Sequence, residues 1–217
     1  MMPDMATMSS IAGYWDAAAR RFDRGADHGL REPRGRTAWA HRLRAWLPEA
    51  PADVLDLGCG TGSLTRLLVE QGHRPLGIDL SPKMIAHARA RLAGTGAEVV
   101  IGDAGKPPVG RRKFDAVLAR HLLWTQPEPQ AALRRWARLA RRGGRLVLIE
   151  GRWNAPPGAV PYAERAEATP WAHGVEPAVL REALTGLVSD LRIEPLDDPA
   201  LWGWETDDER YAVIATV

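Results

Sequence analysis

The segment "VLDLGCGTG", Val54 to Gly62, sets an acid, Asp56, inside an apolar run and follows it with glycines at 58, 60 and 62. A short apolar run stopped by glycines predicts a buried strand, and the bare backbone after it lets a ligand come close where the next helix opens. Further along, the pattern alternates. "SLTRLLVEQG" predicts a helix ended by Gly72, "PLGIDL" a strand, and "SPKMIAHARARLAG" a helix with Ser81 as N-cap and Pro82 in its first position. "AEVVIGDA" and "FDAVLAR" predict strands on either side of the loop "GKPPVGRRK"; "PEPQAALRRWARLARRGG" then predicts a helix and "GRLVLIEG" a fifth strand. Strands joined by crossovers in this way imply a doubly wound parallel sheet.

The flanks differ from this middle region. Upstream, "IAGYWDAAARRFD" and "GRTAWAHRLRAWL" carry apolar residues at helical spacing, with Trp15 and Phe22 on the first and Trp39, Leu43 and Trp46 on the second. Downstream, the Pro-rich "RWNAPPGAVPYAERAEATPWAHG" predicts a loop and "EPAVLREALTGL" a helix. "DLRIEPL" and "RYAVIATV" then predict an antiparallel strand pair joined by the acidic loop "DDPALWGWETDDE". The expected architecture is α/β, a single domain over residues 1–217. A helical lid over 1–50 precedes a Rossmann-like core over 51–217, whose doubly wound, mostly parallel seven-stranded sheet ends in the antiparallel C-terminal pair.

Composition excludes several classes. A formal net charge of +2 over 217 residues, with Arg far outnumbering Lys, is weak support for a polyanionic partner. The single cysteine, Cys59, cannot form an internal disulfide, no apolar run reaches the length of a membrane helix, and the start lacks the basic-then-apolar order of a signal peptide. A cytoplasmic protein with no nucleic-acid or membrane partner, monomeric or homodimeric, is expected.

The glycine spacing narrows the ligand. It reads G-x-G-x-G, and Ser63 stands where the dinucleotide fingerprint G-x-G-x-x-G needs glycine. A nicotinamide cofactor would bring its pyrophosphate against Asp56, whereas a ligand carrying an ammonium and a sulfonium matches that charge. S-adenosylmethionine (SAM) is such a ligand. Asp79, ending the second strand, is placed to accept from the ribose hydroxyls, and Asp103, ending "VVIGDA", from the adenine amino group.

"LDLGCGTG", "GIDLSPKM", "IGDA", "FDAVLARHLLW" and "RRGGRLVLIE" stand in the order and spacing of the class I, seven-stranded SAM-dependent methyltransferases, which the chain resembles from about Val54 to Val217. The resemblance implies that Asp56 faces the methionine moiety, with the turn of Gly58, Cys59, Gly60 and Gly62 beneath it. Asp79 would hold the ribose, Leu80 and Met84 would cover the adenine, and Gly102, Asp103 and Ala104 would meet its edge. Tyr14, on the lid, is expected to close over the cofactor. The stretch "RHLLWTQPEPQAALRRWARLARRGGRLVLIEG" further resembles bacterial enzymes that methylate small, often aromatic, natural products.

Several of these residues also have plainer readings. Cys59 serves through its amide rather than its thiol, Asp115 is structural, Met84 reads equally well as core, and arginines 134, 135, 138, 141 and 142 form the solvated face of a helix. Ligands of open α/β sheets lie outside the carboxyl ends of the strands, which is where Arg120 and His121 fall. His121, or failing it His28 in "ADHGL", is read as the base that takes the acceptor's proton, and Arg120 as the group that steadies the anion or anchors an acidic substituent. A hydrogen bond within a lid is the alternative for each histidine. Nine tryptophans against two phenylalanines suggest a flat acceptor, bordered by Trp15, Trp124, Trp153 and Trp171. The function expected is methyl transfer from SAM to a small, aromatic molecule, with no metal. An RNA or protein methyltransferase and a nonenzymatic SAM-binding protein are the alternatives, although no asparagine-proline-proline-aromatic motif follows "FDAVLA".

Overall fold

The computed structural model describes residues 5–152 and 169–217. Helices α1 (Met5–Phe22), α2 (Ala26–Gly29) and α3 (Pro33–Trp46) come first. They are followed by β1 (Asp53–Leu57), α4 (Ser63–Glu70), β2 (Arg74–Asp79), α5 (Pro82–Arg91), β3 (Glu98–Ile101) and β4 (Phe114–Arg120). A 3₁₀ turn (Leu123–Thr125) leads to α6 (Pro129–Leu139), β5 (Ala140–Arg152), α7 (Pro177–Leu184), β6 (Asp190–Pro195), α8 (Pro199–Trp202) and β7 (Glu209–Thr216). The strands form one seven-stranded sheet in the order β3-β2-β1-β4-β5-β7-β6. β1 runs parallel to both β2 and β4, while β7 lies antiparallel between β5 and β6, as the sequence pattern predicts. The winding reverses between β1 and β4, and a crevice opens there at the carboxyl ends of the strands.

Both faces of the sheet are covered, which is why its central strands read as continuous apolar runs. Leu55, Leu57, Val117 and Ala119 point to one side and pack with Leu133 and Trp136 of α6 and Leu180 and Leu184 of α7. The alternate positions, Val54, Ala116 and Leu118, point to the other side, toward Leu67 of α4, Trp202 of α8 and Trp39, Leu43 and Trp46 of α3. No described helix is long and apolar enough to cross a membrane.

Three expectations are corrected. Helix α3 is not part of a lid: Trp39, Leu43 and Trp46 are at most 1% exposed, and the indole N–H of Trp39 donates to Leu201 O at 2.8 Å. The antiparallel extension of the sheet leaves a wide apolar face, and α3 covers it, so of the N-terminal helices only α1 and α2 border the cavity described below. Next, α6 stops at Leu139, and Arg141 and Arg142 lie at the start of β5. Arg141 bridges Asp53 at 2.9 Å and Asp115 at 2.6 Å, and Asp115 also accepts the Asp53 N–H at 2.7 Å, the structural role expected of it. Finally, the "DDPALWGWETDDE" segment contains α8. The Asp198 side chain caps this helix by accepting from Ala200 N, and Trp202 is fully buried.

Candidate active site

The turn after β1 is held by backbone and carboxylate contacts. Cys59 N donates to Ile78 O at 3.0 Å, tying the turn to β2. Gly58 has φ +65°, and a Cβ there would lie 2.8 Å from Leu122, so glycine lets the chain leaving β4 close against the turn. Asp79, at the end of β2, accepts from Gly60 N and from Ser81 N, each at 2.9 Å. It thereby braces the turn and the start of α5 together. Desolvation pushes its pKa up, against these two hydrogen bonds. Asp56 is buried and accepts from the Thr65 hydroxyl at 2.6 Å. Burial raises its pKa to about 6, opposed by the Thr65 bond and the nearby charge of Arg120.

Above these groups a cavity of about 390 Å³ runs along the strand ends. Asp56, Gly58, Gly60, Asp79 and Met84 line it at the β1–β2 end, and Arg120, His121, Trp204 and Arg210 at the other. Trp15, Phe22, His28 and Trp124 form its aromatic walls. A smaller hollow of about 40 Å³ adjoins it, lined by Ile11, Leu80, Asp103, Ala104 and Gln126. In that hollow the Asp103 carboxylate accepts from Gly105 N at 2.7 Å.

Helix α1 is fastened over the glycine turn at two points. Asp16 accepts from the Ser81 hydroxyl at 2.5 Å and from Lys83 N at 3.0 Å, so the N-cap of α5 is shared with the lid. Asp23 accepts from the Thr61 hydroxyl and from Arg91, both at 2.5 Å, and Arg91 also reaches Thr61 O at 2.9 Å. Beside these anchors Trp15 meets Phe22 edge-on at 5.9 Å and Trp124 at 6.4 Å, while His28 stacks on Phe22 at 4.3 Å.

The exit of β4 is pinned by a buried acid. Glu150 on β5 accepts from Leu122 N at 3.1 Å and Leu123 N at 3.0 Å, and burial pushes its pKa to about 7. His121, just before these amides, takes φ +53°, uncommon outside glycine. Its N–H donates to Ile149 O at 2.8 Å, and its carbonyl accepts from the Trp124 indole at 2.6 Å. Burial, followed by the charges of Arg120, Arg210 and His28, holds the imidazole pKa well below its usual value. Desolvation therefore favours the uncharged ring.

The structure brings together Asp56, Gly58, Cys59, Gly60, Asp79, Met84, Trp15, His28, Arg120, His121 and Trp124 around the cavity, with Leu80, Asp103 and Ala104 in the adjoining hollow. Four expected site residues line neither space. Gly62, in the left-handed region at φ +80°, serves packing between α4 and α5, since a Cβ there would meet Ala88 and Leu92 at 3.2–3.3 Å. Gly102 makes room for Pro108, 2.7 Å from where its Cβ would be. Tyr14 is 42% exposed on the outer side of α1, and Trp171 packs against the core beside α6 and α7. Trp153 lies outside the described residues. The Cys59 thiol is buried with its pKa pushed up, consistent with a structural role. Sequence reasoning missed Phe22, Trp204, Arg210 and Glu150 as site residues. An acid inside the apolar run "VLIEG" was a signal for Glu150; Arg210 and Trp204 carry no local signal, because only strand pairing brings them to the site.

Residues 55–148 match the family model described as a methyltransferase domain. An uncharacterized methyltransferase of Mycobacterium tuberculosis is 40% identical over 122 residues, 56% of this chain and 48% of that protein. A demethylmenaquinone methyltransferase of Thermotoga maritima is 36% identical over 117 residues, 52% of this chain and 50% of that protein. The chain spans about half the length of these relatives. The crystal structure of magnesium protoporphyrin IX methyltransferase from Synechocystis with bound SAM matches with a TM-score of 0.68 at 20% identity, covering 100% of both chains.

Proposed function

We propose that this chain, whose residues 55–148 match a methyltransferase-domain model and whose fold is that of a SAM-bound methyltransferase, transfers a methyl group from SAM to a small, aromatic acceptor. The observation that carries this reading is the cavity at the switch point, which joins a carboxylate-flanked glycine turn to a chamber walled by tryptophans. The residues present suit the cofactor. Asp79 uses one lone pair of each oxygen on Gly60 and Ser81 and keeps acceptor capacity for two ribose hydroxyls. Asp56 offers its charge to the ammonium, and Asp103 in the adjoining hollow offers an acceptor to the adenine amino group.

When bound, SAM supplies an electrophilic methyl group on a sulfonium whose charge disappears as the new bond forms. The protein's own contribution is orientation and exclusion of water. Trp15, Phe22 and Trp124 wall the chamber, and the Asp16 and Asp23 contacts hold α1 over it. His121 takes the proton of the acceptor's hydroxyl or amine, and Arg120 steadies the anion that develops. His28, on the wall opposite, is the alternative base.

Calorimetry with SAM, followed by transfer of an isotopically labelled methyl group to an aromatic library, tests the reading. His121→Ala should keep the SAM affinity and lower kcat by roughly 10²–10⁴. A change in KM alone would move His121 from proton transfer to acceptor binding. SAM binding with no transfer to any small molecule would favour the nonenzymatic alternative.

A further inference from the structure

We infer that Arg210 forms an anion subsite at the far end of the cavity that takes a carboxylate of the methyl acceptor, making the acceptor a small aromatic acid. This rests on the methyltransferase reading and deepens it.

Position comes first. Arg210 projects from β7, and the strand order β2-β1-β4-β5-β7 places it three strand spacings from β1 and four from the strand that bears Asp79. At about 4.8 Å per spacing, these are separations of roughly 14 and 19 Å. Its register partner on β5 is Gly151, two residues beyond Ile149, the partner of Arg120, so Arg120 at the carboxyl end of β4 and Arg210 at the amino end of the antiparallel β7 stand on the same edge of the sheet, where the crevice opens.

Charge is divided along the cavity. Among the described residues, the acidic side chains that line it are Asp56 and Asp79, both at the β1–β2 end; Arg120 stands next to them on β4, where Asp56 feels its charge, and Arg210 lines the far end. A ligand spanning the cavity therefore meets carboxylates at one end, Arg120 between, and the Arg210 guanidinium at the other end. The fields of both arginines are felt by His121, after burial itself, in holding its imidazole neutral.

The guanidinium of Arg210 is built into place. Arg210 is only 8% exposed, and its guanidinium carbon sits 4.2 Å from the ring centre of Trp202 and 5.9 Å from that of Trp204. Asp208 meets one of its nitrogens at 3.2 Å. Stacking on indole fixes the plane of the donor fork, and a fixed fork favours the two parallel hydrogen bonds of a carboxylate over a point-like anion. Arg120 is held similarly, 5.1 Å from the ring centre of Trp39. Two strand spacings, roughly 10 Å, separate β4 from β7, which suits one ring with a nucleophile at one end and a short carboxylate arm at the other.

A carboxylate at Arg210 could also come from the methionine moiety of the cofactor, and the experiment separates the two sources. The probes are 4-hydroxybenzoate, 4-hydroxyphenylacetate and 4-hydroxycinnamate, each paired with its carboxamide. They are titrated by calorimetry into protein saturated with S-adenosylhomocysteine, whose own affinity is measured first. At least one acid should bind about tenfold or more tightly than its amide, as expected for charge-assisted hydrogen bonds. Arg210→Gln should cut that preference to about threefold or less and leave the S-adenosylhomocysteine affinity unchanged. Arg210→Lys, which keeps the charge but not the fork, should fall between, and it carries the test if circular dichroism shows the glutamine variant unfolded. Acids binding no tighter than amides, or not at all at millimolar concentration, would overturn the inference. So would a loss of S-adenosylhomocysteine affinity in Arg210→Gln as large as the loss for the acid, which would assign the subsite to the cofactor. Failure of the parent protein to bind S-adenosylhomocysteine at all is the separate outcome that removes the methyltransferase reading, and this inference with it.

Discussion

Asp56 and Asp79 sit one strand apart at the glycine turn but work differently. Asp79 spends its charge on two backbone amides, so it shapes the turn as well as offering acceptors. Asp79→Asn replaces one acceptor by a donor that faces an N–H, and SAM affinity measured by calorimetry should fall roughly ten- to hundredfold. An unchanged affinity would remove Asp79 from the cofactor site. Asp56 has one hydrogen bond and a pKa near 6, so its ionisation is within experimental reach. A cationic ligand binds the ionised form, and affinity should be level above pH 7 and fall below about pH 6, approaching tenfold per unit of pH. Asp56→Asn should bind weakly with little dependence on pH; an undiminished slope in that variant would point to another group. Both acids were legible as strand-end carboxylates. The two hydrogen bonds of Asp79 to the turn were not, because they depend on how closely β1 and β2 are paired.

Helices α1 and α3 look alike in sequence, each amphipathic and bearing tryptophan at helical spacing, yet they have opposite fates. Trp39 is fully buried, with its N–H satisfied by Leu201 O, and Trp15 borders the cavity. Trp39→Ala should therefore destabilise the fold by about 3–5 kcal/mol in denaturant titrations. Trp15→Ala should cost about 1 kcal/mol or less and should show itself in ligand affinity. Equal losses of stability would mean that α1 belongs to the core. Helical periodicity identifies which face of a helix is apolar; what that face meets depends on where the antiparallel C-terminal pair leaves sheet surface uncovered.

Across the whole molecule, buried acids at the strand ends make stability depend on pH. Glu150 has a folded pKa near 7 against an ordinary value of 4.5, so between those limits the folded chain holds a proton that the unfolded chain releases. Its contribution to stability is intact below about pH 4.5 and declines as pH rises toward 7, by up to about 3 kcal/mol. Asp56 acts with the same sign over a lower window. Glu150→Gln keeps an acceptor for Leu122 N and Leu123 N without the ionisation, and its Tm relative to the parent should rise between pH 5 and pH 8. A difference that is constant with pH would show that Glu150 carries the same charge in both states. The sequence alone was enough for the order of the strands, the helices between β1 and β5, the glycine turn, the carboxylates at the ends of β1 and β2 and the antiparallel C-terminal pair, because these are written in periodicity and turn chemistry over windows of about ten residues. It left open the basic end of the cavity, the burial of α3 and the pinning of the β4 exit. Each of these depends on partners far apart in the chain: Arg210 enters the site only because β7 returns antiparallel beside β5, and Leu122 is held only because β5 brings Glu150 next to β4.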